Sequence, residues 1–212
     1  MHNIIEKKAG LSLIVFVILL VFTIVLHPAG GSVEHLIGIT PMIIITHSIA
    51  IFSLAFGWTG CWGLTRRLGT EELLPVLAFF MVSLGLVAVM LAAAANGLAL
   101  PFFLQHYRDA TPETLAAIKP FLKYNASVNK AFDHIYTVAF CLAILCWSVS
   151  ILYSRRLSVW IAWAGILLAA VVLALYIFGV AANSLEGFRI FGSVLLVWIL
   201  LAGWVLYKSE VS

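Results

Sequence analysis

Charge is what this sequence has least of. Of its 212 residues, 12 are Lys or Arg and 9 are Asp or Glu, 10% in all, against about 25% in a typical soluble domain. So few charges cannot cover a water-exposed surface, which excludes an ordinary soluble fold. The net charge of +3 forms no basic stripe, so no nucleic-acid partner is expected. Cysteine is scarce too. Cys61, Cys141 and Cys146 lie inside apolar runs, without the exposed pairs of a disulfide framework or the ligand pairs of a zinc knuckle. They read as packing residues. Neither His-Glu-x-x-His nor His-x-x-x-His occurs, so no single helix offers two metal ligands one turn apart. No motif names a reaction, and whether the chain is an enzyme stays open.

What the chain has is hydrophobic length, 64% of its residues. Several apolar runs approach or exceed the roughly 18–20 residues that cross a bilayer as helix. The expected fold is all-α: one polytopic membrane domain over 1–212, with six transmembrane helices at about 9–27, 41–64, 73–98, 131–153, 158–182 and 188–207. Lys7-Lys8 before the first run has the look of a secretory signal. The run is longer than the usual 7–15 residues, however, and His27-Pro28-Ala29-Gly30-Gly31 is a weak cleavage site, so it is kept as a helix.

Local signals place the boundaries. Pro41 suits the first turn of the second helix, and Glu71-Glu72 favour the start of the third. The one long connection, 100–130, is broken by Pro101, Pro112 and Pro120. Within it Thr111-Pro112-Glu113 reads as N-cap, first-turn Pro and first-turn acid, predicting a short surface helix. After Pro120, Phe121, Leu122, Val128 and Phe132 alternate with Lys123, Asn125, Asn129 and Lys130. That mixture suits a helix leaning on the membrane interface.

Placing both termini in the cytoplasm puts Lys7, Lys8, Arg66, Arg67, Arg155, Arg156 and Lys208 on the inner side, as the positive-inside rule asks. Trp58, Trp62, Trp147, Trp160 and Trp163 gather toward the same interface. The expected location is the inner membrane of a bacterium. Lipid is the expected partner, together with further copies of the chain or another membrane subunit.

One pattern is written twice. His47 to His134 is a step of 87 residues, and so is Asn96 to Asn183. Trp58 and Trp147, and Arg66-Arg67-Leu68 and Arg155-Arg156-Leu157, match at a step of 89. A parallel repeat of the second and third helices in the fourth and fifth would explain the offsets, as would two unrelated Arg-turned hairpins. As a repeat it has a pseudo-two-fold axis along the membrane normal and sets His47 and His134 at one depth near the outer face.

The candidate site is therefore His47, His134, Asn96 and Asn183, offered as cofactor ligands. His27, His47, His134 and Asp133 are offered as metal ligands, because imidazole serves both divalent metals and haem iron. Asn96 and Asn183 each follow alanines, which fits either a helix C-cap or an amide completing a polar site between closely packed helices. Gly57, Gly60 and Gly63 read as a close-packing stripe, and the paired arginines as topology signals. Four roles follow as expectations: a divalent-metal or haem protein, a small-solute transporter, a membrane hydrolase with a His-bound metal, and a non-catalytic accessory subunit.

Overall fold

A computed structural model describes residues 2–27, 31–179 and 185–208. The elements are α1 (His2–Leu26), α2 (Val33–Gly38), α3 (Thr40–Leu68), α4 (Leu73–Ala94), a π-helical turn (Ala95–Ala99), α5 (Leu100–Gln105), α6 (Pro112–Ala117), α7 (Lys119–Ser154), α8 (Val159–Ile177) and α9 (Leu185–Lys208). No strand occurs among the described residues. Five helices are long and apolar enough to cross a membrane, and Gly192–Lys208 in α9 is a shorter apolar helix. This is the make-up of an α-helical membrane protein. Its outer surface agrees: Phe52, Phe80 and Leu167 are 68%, 63% and 68% exposed, an arrangement suited to lipid. In that solvent each backbone N–H and C=O needs an internal partner, which the helix supplies.

The long helices pack in chain order. α1 lies on α3, α3 on α4, α4 on α7, α7 on α8 and α8 on α9, and α9 returns to α1. Small residues set the closest approaches. A Cβ at Gly60 would come within 2.5 Å of the Leu13 side chain and 2.9 Å of its backbone nitrogen. Gly57 faces Phe16 and Gly63 faces Ala9 in the same way, so the glycine stripe of α3 is the seat of α1. The ring closes at Gly10 and Gly203, where a Cβ on Gly10 would meet the Gly203 carbonyl oxygen and the Tyr207 nitrogen at 2.6 Å. Where the hydrophobic effect is absent between helices, such contact is a principal source of association.

At one end the two Arg turns are fastened together. Arg67 pairs with Glu6 at 3.0 Å, and its Nε donates to the Arg156 carbonyl at 3.2 Å. Arg156 Nη1 donates to the Leu68 carbonyl at 2.9 Å. Arg67 and Arg156 thus join three helix ends. Trp147 is a correction to the expected aromatic belt. It is 1% exposed, donates to Thr65 Oγ1 at 3.1 Å and stacks on Trp198 with ring centroids 6.1 Å apart. Trp160 and Trp163 do face outward, at 52% and 60% exposure. The three cysteines are free, Cys61 and Cys141 fully inside.

The segment 100–130 departs most from expectation, because it is nearly all helix. Pro112 and Pro120 stand in first turns, where a missing N–H costs nothing, Pro101 directly follows the π-helical turn, and Thr111 Oγ1 accepts from the Thr114 N–H at 3.3 Å. Residues 119–130 form no separate interfacial helix; they are the first turns of α7, whose 36 residues span about 54 Å at 1.5 Å per residue. The hydrocarbon layer is only about 30 Å thick. The excess of α7, with α2, α5 and α6, encloses a second small core of Val33, Ile37, Leu104, Leu115 and Ile118.

Candidate functional site: a polar layer between two apolar cores

Two helices pass from the main core into the small one, and both carry polar residues at the crossing. On α7 the small core ends at Leu122 and the main core begins at Phe132. On the α4–α5 column the main core ends at Met90 and the small one begins at Leu100. Asn125 and Asn129 occupy the first gap and Asp133 stands at its edge, four residues apart and hence on one helix face. Asn96 occupies the second.

Asn96 is no C-cap. It sits in a π-helical turn inside a continuous helix, with Ala95 in the right-handed helical region. Turns of this kind are rare and recur at functional sites. The turn's other feature is Gly97, where any Cβ would collide with the Cβ and ring of His47 on α3. The widened turn thus seats His47 on one flank and turns Asn96 toward α7 on the other.

The amides form a directed chain. Asn125 Nδ2 donates to Asn96 Oδ1 at 2.6 Å. Asn96 Nδ2 donates to Asn129 Oδ1 and, at 3.3 Å, to the Ala92 carbonyl. Asn129 Nδ2 donates to Asp133 Oδ2 at 3.3 Å. A carboxylate only accepts, so Asp133 orients Asn129, which orients Asn96, which orients Asn125. Neither end of this chain has a further side-chain donor among the described residues: the Asn125 amide oxygen and Asp133 Oδ1 remain as acceptors.

The histidines go to different neighbours. His47 is buried; its Nδ1–H donates to the Ile43 carbonyl at 2.8 Å, leaving Nε2 as the acceptor nitrogen. Its ring meets that of His27 edge to face, centroids 5.0 Å apart. His134 is exposed and bonded through Nδ1 to the Tyr176 hydroxyl of α8 at 2.8 Å. His27 and His47 are thus together, whereas His134 stands with Tyr176. Asn183 lies outside the described residues. Among the described residues no group of three or more His, Cys, Asp and Glu side chains is placed to hold a metal ion. His47 lies nineteen residues before Arg66 and His134 twenty-one before Arg155, each about 30 Å from its Arg turn by helix rise.

Asn125, Asn129 and Tyr176 were not expected at the site. The i, i+4, i+8 spacing of Asn125, Asn129 and Asp133 was a readable signal; the Tyr176 contact, 42 residues from His134, had none. No family model, curated protein or solved structure matches the chain.

Proposed function

We propose that this is a six-span membrane protein, with both termini cytoplasmic in a bacterial inner membrane, that binds a small cationic ligand in its outer polar layer. The observation that carries the reading is the directed chain from Asn125 through Asn96 and Asn129 to Asp133. Its Asp133 end is an acceptor, so the complementary ligand there is a donor or a cation; the Asn125 end lies about 12 Å away along α7. Oxygen donors of this kind suit hard ions and ammonium groups rather than haem iron. Polar and ionisable groups at membrane depth typically mark ligand or ion paths. His27 and His47 extend the layer across the π-helical turn and bring two imidazoles to one place, which supports a divalent metal as the alternative occupant.

Purified full-length protein in detergent, heated with Na⁺, Mg²⁺, Ca²⁺, Zn²⁺ or a small ammonium ion, tests this directly. A ligand at 100 times its Kd stabilises by about 2.7 kcal/mol, and Asp133→Asn removes that gain if the layer is the site. No stabilisation by any of these, together with no stoichiometric metal and no Soret band, leaves the non-catalytic accessory reading. That second reading has its own support, because most amide groups in the chain satisfy one another. If binding is found, flux of the same ion into liposomes distinguishes a transporter from a sensor or a structural site.

The duplicated-hairpin reading draws support from the Arg clasp. Arg67 reaches the Arg156 backbone while Arg156 reaches Leu68, a near-reciprocal contact, but the helix packing does not follow a two-fold axis, because α4 packs on α7 whereas α3 and α8 share no comparable contact. Trp58 and Trp147 have since acquired different partners, Ser83 and Thr65.

A further inference from the structure

A second polar feature lies at the opposite end and plays no part in the outer layer. An open cavity of about 550 Å³ separates the start of α8 from the end of α9, with Arg155, Arg156, Lys208, Trp160 and Trp204 on its walls. No carboxylate among the described residues lines it. We propose that this cavity holds the headgroup phosphate of an anionic phospholipid.

Three things favour that occupant. Two of the three cations, Arg156 and Lys208, are held in place before any ligand arrives. Arg155 adopts the left-handed backbone conformation, φ 53°, which ends α7 and turns the chain beside the cavity. Arg156 is tied by its bond to Leu68, and the Lys208 ammonium rests 4.5 Å above the Trp204 ring. A guanidinium pair suits phosphate, because its planar fork meets two oxygens at once. Trp160 and Trp204 are about half exposed, and indole rings lodge at the level of lipid headgroups. The position also matters: basic pockets between spanning helices on the cytoplasmic side are where anionic headgroups bind. A soluble phosphate would use the cations alone; a lipid also uses the apolar flank of Leu157 and Val205. The inference rests on the cytoplasmic placement of the Arg end proposed above, and is independent of the ligand proposed for the outer layer.

The test uses full-length protein in nonionic detergent, titrated with short-chain phosphatidylglycerol, short-chain phosphatidylcholine or inorganic phosphate, with Trp fluorescence as readout. Phosphatidylglycerol is expected to bind saturably and at least tenfold more tightly than phosphatidylcholine. Arg155→Gln with Lys208→Gln removes two cations and should weaken it about thirtyfold. Neither side chain bonds to another helix, so folding should survive. Lys208→Gln alone, with an expected loss of severalfold, covers the case in which it does not. Equal affinity for both lipids, unchanged binding in the variants, or inorganic phosphate binding as tightly as the lipid would each overturn the proposal.

Discussion

If the amide chain is what joins α4 to α7 at the polar layer, Asn96 and Asn129 must be energetically coupled. Asn96→Ala removes both side-chain bonds to α7 and strands the Asn125 amide and the Asn129 carbonyl oxygen. Side-chain hydrogen bonds between membrane helices average about 0.6 kcal/mol each, with a maximum near 1.7. Two such bonds plus the partners left unmatched give an expected loss of about 1–3 kcal/mol. Asn129→Ala removes the shared bond and the one to Asp133, for a similar loss. The double variant should lose less than the two single losses added, by about 0.5–1.5 kcal/mol, since the shared bond can be removed only once. Unfolding by SDS in mixed micelles, followed by circular dichroism, measures all four corners of the cycle. Full additivity, with coupling under about 0.2 kcal/mol, would refute the directed chain even if each single variant were unstable.

Gly60→Val drives a side chain into Leu13 and its backbone, and should cost at least 2 kcal/mol in the same assay. Gly38→Ala, with nothing within 4 Å of the added Cβ, should change stability by less than about 0.5 kcal/mol. Gly97→Ala collides with His47; an expected loss of about 1–3 kcal/mol should come with a weaker cation-induced shift in melting temperature, because His47 and Asn96 share one turn. In a chain whose native cysteines are replaced, Glu113→Cys should react with an impermeant maleimide from outside whole cells, and Glu72→Cys only after permeabilisation. The reverse pattern would invert the orientation and with it the outer position of the polar layer.

Much of the fold could be read from residues alone, because the bilayer leaves so few choices. Apolar runs of spanning length must be helices, and Gly57, Gly60 and Gly63 could serve only close packing. The harder cases are those where two environments ask for the same residues. Polar residues between Lys119 and Lys130 read as an interfacial helix, yet a long helix that leaves the membrane also becomes polar there. Trp147 carries the residue type of an interfacial belt, but its indole N–H found Thr65, which makes burial affordable. Asn96 looked like a cap because alanines precede it; it lies instead in a π-helical turn whose Gly97 fits against His47, a contact across 50 residues. His134 and Tyr176 meet for the same kind of reason.

The closure of the helix ring at Gly10 and Gly203 has a consequence for the order in which the protein is made. The glycine face of α1 is synthesised 193 residues before its partner on α9. At about 5–20 residues per second, α1 waits some 10–40 s with one flank covered by α3 and the other by lipid or an insertion factor. During that interval the nascent bundle is an open crescent, and a strange helix with a small-residue face could take the place reserved for α9.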